Sequence, residues 1–451
     1  MGIFSRFVGV SVAALAAVTL ATPVPAGPAT ASDQPTVAQP GGVSDIILTA
    51  QNTLNATNGS PPPHFQQLSA MNLPLALVNE IRAGPVTAYI TGLDTSNRLV
   101  FVQSNGQFYY PTAQQGNTTP QQVPDANIGI PLGAYGTTQT VNLANYLSSG
   151  RIYFGVGKLS FYTVYPSGAS GPTLVQPAAN NPKDPNALVK WGFIEFTTNS
   201  ASGIYVNLSN VDFVGLVLGM ALQTGSGTTL NARGLKPGSL QPMCDAMKQA
   251  GQDGQPWPKL CMVDNSNNAL RVLGPQDYLS IPGSTKFSAY WENYVNQVFT
   301  KYTTQTLTVV TPTHGNVPCK VVNGAITCQG DNHSYAKPIA IDIYGCNSGP
   351  FQVYPDANDV HKEVYPRICA AFNRATLLLQ GGETQPSLPA TSYYQSEPSN
   401  LYSKNVHQLS VDGTGYAFPY DDVNPNGSVD QAGALTDSNP QKLTVYIGGQ
   451  Q

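Results

Sequence analysis

The most informative stretch of the chain reads Trp191-Gly192-Phe193-Ile194-Glu195-Phe196-Thr197-Thr198-Asn199, followed by Gly203-Ile204-Tyr205-Val206-Asn207-Leu208-Ser209-Asn210-Val211-Asp212-Phe213. β-Branched and aromatic residues alternate with polar ones, which predicts two antiparallel strands joined by a short turn. Each strand carries one carboxylate, and no other acidic residue occurs between Asp184 and Asp245. Because an unpaired carboxylate is costly to bury, Glu195 and Asp212 both require an explanation.

The distance between the two carboxylates depends on the register of this hairpin. If Ser202-Gly203 is a two-residue primed turn, Glu195 lies opposite Asn210, and Asp212 is its diagonal neighbour on the same face. Diagonal neighbours are about 7–8 Å apart. That separation lies within the roughly 6.5–9.5 Å window of two carboxyls that hydrolyse a glycosidic bond with inversion.

A looser turn gives a different result. If Asn199 closes on Gly203, Asn207 lies opposite Glu195, and Asp212 lies roughly 17 Å further along the strand and on the other face. A catalytic pair therefore requires the tight register or a bulge. Without either, Glu195 and Asp212 are two solvated carboxylates of a sheet surface.

The neighbours of Glu195 on the first strand fall on two faces. Thr197 and Asn199 project from the same face as Glu195, where they are candidates to hydrogen-bond sugar hydroxyls next to a scissile bond. The flanking Ile194 and Phe196 are expected to desolvate the Glu195 carboxyl.

The composition excludes several classes of partner. Charged residues make up 10% of the chain and the net charge is −4, whereas nucleic acids and anionic membranes require a clustered basic surface. The 23 tyrosines, together with many hydroxyl and amide side chains, favour a neutral polymer such as a glucan. The five histidines are scattered without metal-binding or catalytic spacing, so we predict neither a metal nor an organic cofactor.

The N-terminus has the pattern of a secretory signal peptide. Arg6 precedes an apolar stretch over residues 7–21, and Ala29-Thr30-Ala31 provides a cleavage site, which predicts a signal peptide over 1–31. Residues 32–45, rich in Pro, Gly and Gln, are predicted to be a disordered tail. No later stretch of the sequence reaches the roughly 18–20 apolar residues of a membrane span. We therefore expect a secreted, extracellular protein.

The rest of the chain divides by its patterning. Residues 46–219 contain short alternating runs separated by turn residues, which predicts an antiparallel β-sandwich or barrel. Residues 220–407 mix strands with helical patterning, which predicts a mixed α/β region. Residues 408–451 end in a predicted strand that we expect to return to the first region. The helices are expected over 240–250, 287–302 and 367–379, the last beginning just after Pro366.

All cysteines lie in the C-terminal half, and their number is even, which favours three disulfides in an exported chain. They are Cys244, Cys261, Cys319, Cys328, Cys346 and Cys369. Fifteen pairings are possible, and we predict the sequential one. An Asn-Gly turn between 321 and 327 predicts a hairpin that brings Cys319 and Cys328 together.

Six segments of the chain carry a resemblance to a known family: residues 149–154, 191–197, 207–216, 271–273, 343–351 and 415–422. Together they resemble the β-1,3-glucanases of glycoside hydrolase family 64, and the resemblance covers most of the chain from about Val78 onward. The segment 415–422, followed by the last strand, is also thaumatin-like. Val217-Leu218-Gly219 departs from the family pattern, in which a proline is expected after Gly-Leu.

The resemblance implies a thaumatin-like β domain over 46–219, packed against a mixed α/β domain over 220–407, with a wide groove between them for a β-1,3-glucan chain. By motif, the family's catalytic carboxylates fall on Glu195 as general acid and Asp212 as general base. Thr197 and Asn199 match positions of the groove, and Tyr205 stands where the family can carry a groove tryptophan.

The function that follows is a secreted endo-hydrolase that inverts the anomeric centre and releases short laminari-oligosaccharides. We expect it to act as a monomer without a cofactor. The alternative is a non-catalytic, thaumatin-like protein that binds glucan or serves in defence.

Overall fold

The computed structural model describes residues 34–55, 71–287, 289–428 and 431–450. The architecture is mainly β, with most helices after residue 239, which confirms the predicted fold class at this level. The predicted signal peptide lies outside the described residues. Within those ranges no helix has the length and apolar character needed to cross a membrane.

Strands account for most of the regular structure. In chain order they are β1 (Thr36–Val37), β2 (Thr53–Leu54), β3 (Leu73–Asn79), β4 (Val86–Leu93), β5 (Leu99–Val102), β6 (Phe108–Tyr109), β7 (Asn117–Gln122), β8 (Ile130–Pro131), β9 (Thr138–Leu143), β10 (Ser148–Val156), β11 (Tyr162–Tyr165), β12 (Thr173–Val175), β13 (Trp191–Asn199), β14 (Gly203–Asn207), β15 (Phe213–Val214), β16 (Leu218–Gln223), β17 (Thr229–Ala232), β18 (Cys261–Val263), β19 (Ala269–Leu273), β20 (Leu307–Thr311), β21 (Gly315–Val322), β22 (Ala325–Cys328), β23 (Ser334–Tyr335), β24 (Thr384–Gln385), β25 (Leu435–Asp437) and β26 (Lys442–Ile447).

The α-helices are fewer and short. They are α1 (Asp125–Ile128), α2 (Leu240–Ala250), α3 (Pro275–Leu279), α4 (Glu292–Thr304), α5 (Ala340–Gly345), α6 (Asp359–Asn373) and α7 (Leu401–Leu409).

Two sheets face each other and enclose an aliphatic core. The larger, which we call the central sheet, has the order β25-β14-β13-β10-β4-β5-β6, with β8 paired to β4. The smaller, the covering sheet, has the order β17-β16-β26-β3-β9 and therefore continues past residue 219 to Ala232. Ile152 and Ile194 of the central sheet share this core with Leu77 and Val445 of the covering sheet. Burying each such side chain contributes about 1.5–3 kcal/mol.

The other face of the central sheet changes character along β13. Trp191 and Phe193 belong to a second, aromatic core, in which the Phe193 and Tyr153 ring centroids are 5.5 Å apart. Glu195 and Thr197 follow on the same face and are only partly buried. Every second side chain of a strand points to the same face. Phe193 therefore packs in the aromatic core, while Glu195, two residues further on, lies on the same face in a polar cleft.

The C-terminal half carries the disulfides and most of the helices. A further sheet with the order β23-β22-β21-β20-β24 packs near α4 and α6. The predicted sequential pairing is confirmed, because the three bonds are Cys244–Cys261, Cys319–Cys328 and Cys346–Cys369. The predicted hairpin is confirmed as well, since Asn323 and Gly324 both have positive φ and Cys319 lies directly opposite Cys328.

Two helix predictions were wrong in their bounds. The helix expected over 287–302 is α4, which starts at Glu292 and ends at Thr304. The helix expected over 367–379 is α6, which starts at Asp359 and contains Pro366. Its first turn is fixed by Asn358, whose side chain accepts a hydrogen bond of 2.8 Å from the His361 backbone amide. Burial of most of the following residues outweighs the hydrogen bond that the proline removes.

The prediction of a disordered tail over 32–45 was wrong for the described residues 34–45. Thr36 and Val37 pair with Met262 and Val263, and Ala38 is buried. The backbone amide of Gly41 also donates to a loop carbonyl, at 2.9 Å. The segment is polar, as the sequence shows. It is ordered by hydrogen bonds to the edge of a neighbouring sheet rather than by a core of its own.

A glycine at the junction of β10 and β13 allows these strands to approach. Gly150 lies opposite Phe196, and an added Cβ would lie 2.7 Å from its ring and 2.9 Å from its carbonyl oxygen. We expect Gly150→Ala to lower the free energy of unfolding by about 1–3 kcal/mol, because β10 must move away from β13.

Chemical denaturation of the purified protein measures this change. Gly42→Ala is the control, since a Cβ there meets no atom within 4 Å. Equal unfolding free energies for the two variants would contradict the prediction.

Candidate active site

Three adjacent strands of the central sheet align a row of polar side chains. Arg151 of β10 pairs with Glu195 of β13, which pairs with Asn207 of β14. In the next row on the same face, Thr197 pairs with Tyr205. Side chains opposite one another in such a row are about 4.5–5.5 Å apart at Cβ, so the sheet itself assembles the polar group.

The guanidinium of Arg151 holds the carboxylate of Glu195. Its Nη2 and Nε donate to Glu195 Oε1 at 2.8 and 3.1 Å. Its Nη1 donates to Gln176 Oε1 at 2.9 Å and to the Tyr153 hydroxyl at 3.2 Å. The same group lies 4.6 Å above the centre of the Phe193 ring. These contacts leave Arg151 little freedom and so fix the carboxylate that it pairs with.

The hairpin has the looser of the two registers that the sequence left open. Asn199 pairs with Gly203, and Glu195 lies opposite Asn207. The expectation that this register separates the carboxylates was wrong, because it assumed that the strand continues to Asp212. β14 ends at Asn207.

Two local contacts explain the register. The Asn199 side-chain oxygen accepts hydrogen bonds from the amides of Ala201 and Ser202, at 2.9 and 2.8 Å, which closes a three-residue loop. Gly203 is favoured both by its positive φ of 71° and by the close approach of the neighbouring strand. A Cβ at this position would lie 2.2 Å from the Asp437 carbonyl oxygen of β25.

Asp212 reaches the cleft by leaving the central sheet. The Asn210 amide donates to the Tyr416 carbonyl at 2.8 Å, and the Tyr402 hydroxyl donates to the Asn210 carbonyl at 2.5 Å. The Gly274 amide donates to the Asp212 carbonyl at 2.7 Å. The chain then enters β15, which pairs with β19 in a separate sheet. Glu195 therefore belongs to the central sheet, whereas Asp212 lies in the loop that leads into another sheet.

The two carboxylates line one cleft of about 460 Å³. Its walls are formed by four parts of the chain: the N-terminal segment, the central sheet, the residue after β12 and the loop before β15. The lining residues are Ala50, Gln51, Thr53, Leu54, Ser149, Gly150, Arg151, Gln176, Glu195, Phe196, Thr197, Tyr205, Asn207 and Asp212.

The electrostatic surroundings distinguish Asp212 from an ordinary surface carboxylate. Burial raises the pKa of Asp212; the Arg151 guanidinium lowers it, and the negative charge of Glu195 raises it further. A third carboxylate, Asp277 of α3, lines the adjoining cavity with Asp212. Burial and the charge of Asp212 raise the pKa of Asp277 well above its usual value, although Asn180 donates a hydrogen bond to it at 2.8 Å.

The predicted binding residues separate into two groups. Thr197 and Tyr205 line the cleft, and Tyr205 is 50% exposed. Asn199 lies instead at the turn, where its amide holds the loop. The expected desolvation of Glu195 by Ile194 and Phe196 was wrong, because both side chains point into the aliphatic core on the opposite face.

Sequence reasoning missed three residues that contact or face the pair. Arg151 lies in the segment 149–154 but had no predicted role, and Gln176 belongs to no sequence motif. Asn207 was considered only as a member of the hairpin. It is 7% exposed, and its Oδ1 has no hydrogen-bond partner among the described residues. Within the residues that the structure describes, no group of three His, Cys, Asp or Glu side chains could hold a metal ion.

Residues 71–447 match the family model of the β-1,3-glucanases of glycoside hydrolase family 64. The chain belongs to this family. The match includes the central sheet, the loop before β15 and both carboxylates, and it begins after the described N-terminal segment.

Two curated relatives support the same assignment. Glucan endo-1,3-beta-glucosidase of Cellulosimicrobium cellulans is 27% identical over 83% of this chain, and that of Arthrobacter sp. (strain YCWD3) is 28% identical over 83%. The chain spans 65% of the length of each relative.

Solved structures agree with the fold. A laminaripentaose-producing β-1,3-glucanase in complex with laminaritetraose superposes with a TM-score of 0.71 at 27% identity, covering 84% of this chain and 98% of that one. A family 64 β-1,3-glucanase domain from Clostridium beijerinckii superposes with a TM-score of 0.63 at 20% identity, covering 86% and 100%. The second likeness supports the fold alone.

The raised pKa of Asp212 has a consequence for stability. A carboxyl whose pKa is higher in the folded state binds its proton more tightly there. Its contribution to stability is therefore present at low pH and lost as the pH rises through the folded-state pKa. We expect Asp212→Asn, which removes the charge but keeps the shape, to have a higher Tm than the wild type at pH 7.

Calorimetry across pH checks this expectation. The difference in Tm should shrink as the pH falls through the range in which carboxyl groups titrate. Asp245→Asn is the matched control, because that side chain is 58% exposed and its ion pair with Lys248 is on the surface. A lower Tm for Asp212→Asn than for the wild type at pH 7 would refute the sign.

Proposed function

We propose that this protein is a secreted endo-β-1,3-glucan hydrolase that inverts the anomeric centre and releases short laminari-oligosaccharides. The observation that carries the proposal is that Glu195 of the central sheet and Asp212 of the loop before β15 line one cleft in a member of the β-1,3-glucanase family. The substrate class is supported by the solved relative that produces laminaripentaose and is complexed with laminaritetraose.

The proposed chemistry needs one proton donor and one proton acceptor. Glu195 takes up a proton from solvent before each turnover and donates it to the glycosidic oxygen as the bond from C1 to that oxygen breaks, which leaves the carboxylate that pairs with Arg151. Asp212 takes a proton from the water that attacks C1 from the opposite face of the ring. The raised pKa of Asp212 makes its carboxylate a stronger base than an ordinary aspartate. Arg151 positions Glu195 and compensates negative charge beside Asp212.

Binding of the sugar chain is assigned to the polar and aromatic lining of the cleft. The Thr197 hydroxyl is available to sugar hydroxyls, and the exposed Tyr205 ring can stack on a pyranose face. Asn199 is proposed as a groove residue on the family resemblance alone. No cofactor takes part in this scheme.

The proposal extends to architecture and location. The β domain over 46–219, completed by 408–451, is proposed to be thaumatin-like, and the α/β domain over 220–407 forms the other side of the groove. The predicted signal peptide over 1–31 supports export to the extracellular space. A monomer is sufficient, because both carboxylates belong to one chain.

Removal of either carboxylate tests the assignment. We expect Glu195→Gln and Asp212→Asn each to lower reducing-sugar release from laminarin by at least a hundredfold, since each loses one arm of acid–base catalysis. Glu292→Gln is the control, because that carboxylate is exposed at the start of α4. Proton NMR of the first products should show the α-anomer.

Several outcomes would contradict the scheme. Undiminished activity of either variant would overturn the residue assignment, and a β-anomeric first product would overturn inversion. Binding of laminarin by the wild type without hydrolysis would favour the non-catalytic glucan-binding alternative. The roles are separated by a dinitrophenyl β-laminarioside, whose leaving group needs no proton, so Glu195→Gln should cleave it faster than Asp212→Asn does.

The Tyr205 ring has its own test. We expect Tyr205→Ala to raise KM for laminarin about fivefold or more, because stacking on an exposed ring is lost. Tyr205→Phe keeps the ring and should stay near the wild-type KM. Steady-state kinetics measure both variants, and equal KM values for them would exclude stacking as the role of the side chain.

A further inference from the structure

A segment outside the family match is part of the cleft. The match begins at residue 71, whereas the structure describes residues 34–55 as well, which we call the N-terminal strap. Its two ends are strands on different sheets. Thr36 and Val37 pair with β18, and Thr53 and Leu54 pair with β12. The strap therefore spans from one small sheet to another.

The loop between these strands has a defined conformation. Asn52 is 4% exposed, its Nδ2 donates to the Ile47 carbonyl at 2.7 Å, and its Oδ1 accepts from the Thr49 amide at 2.7 Å. The Asn181 side chain donates to the Asp45 carbonyl at 2.8 Å. Because a buried asparagine fixes both sides of the loop, its position over the cleft is reproducible.

The strap forms one wall of the cleft that contains both carboxylates. Ala50, Gln51, Thr53 and Leu54 line it. Gln51 also lines the adjoining cavity together with Asp212. Its side chain is exposed, and an amide offers two donors and an acceptor to sugar hydroxyls.

A chain of contacts connects the strap with the catalytic pair. The Gln176 backbone N–H donates to the Asn52 backbone carbonyl at 2.8 Å. The Gln176 side chain accepts from Arg151 Nη1 at 2.9 Å, and Arg151 pairs with Glu195. The strap thus lies next to the reacting groups rather than at a remote end of the groove.

We propose that the N-terminal strap is a substrate-binding wall added to the family unit, in which Gln51 hydrogen-bonds a glucosyl unit beside the scissile bond and Ala50 sets the clearance for the chain. This inference rests on the proposed glucanase function. The strap restricts how the glucan lies across the carboxylates, and thereby determines the lengths of the released oligosaccharides.

Substitutions in the strap test the proposal. In the inactive Glu195→Gln background, Gln51→Ala should weaken binding of laminarihexaose in calorimetry about three- to tenfold, the loss of one hydrogen bond. In the active protein, Ala50→Trp should narrow the cleft and change the distribution of product lengths from laminarin. Gln39→Ala is the matched control, because Gln39 is exposed on the same strap and does not line the cleft. Tm values establish that each variant is folded.

The outcomes separate this inference from the hydrolase function. A wild type that binds laminarihexaose but does not hydrolyse laminarin would overturn the proposed function, while the binding series would still decide the role of Gln51. Hydrolysis by the wild type with the same affinity and the same products in both strap variants would overturn the strap proposal alone. Failure of the wild type to bind or to cleave would overturn both.

Discussion

The ion pair between Arg151 and Glu195 is the interaction on which the site depends. A guanidinium on the face of an aromatic core is costly unless its donors are paired. The carboxylate, a glutamine oxygen, a tyrosine hydroxyl and a phenylalanine ring together surround it. Because these partners come from β10, β13 and the end of β12, Glu195 is fixed by the pairing of the sheet rather than by a flexible loop.

The strand that carries Glu195 could be predicted from its alternation, and so could the face shared by Glu195 and Thr197. The Asn-Gly hairpin and the disulfides could be predicted for the same reason, since both depend on local spacing. The register of the first hairpin could not. It depends on an asparagine amide that closes the loop and on the approach of β25, a strand more than 200 residues away in sequence.

Asp212 lies in the cleft through contacts that spacing along the chain does not reveal. Along a continuous strand, Asp212 would come near Glu195 only in the tight register or with a bulge. In the structure β14 ends before Asp212. Hydrogen bonds of Asn210 with Tyr402 and Tyr416, and one from Gly274 to Asp212, hold the following loop so that Asp212 lines the cleft. These residues are remote in sequence, so no local pattern could reveal them. The separation of the carboxylates is therefore a property of how two sheets pack.

The N-terminal strap extends the same reasoning to the substrate. The strap contains residues 34–45, for which a disordered tail was expected because their Pro-, Gly- and Gln-rich composition cannot support a core. It is ordered because β18 and β12 offer unpaired edges, and a strand added to an existing edge gains backbone hydrogen bonds without a core of its own. Once both ends are attached, the loop between them has to cross the cleft wall beside Gln176. A polar segment outside the family unit thus acquires a fixed position next to the carboxylates, where a change of one side chain alters what the cleft accepts.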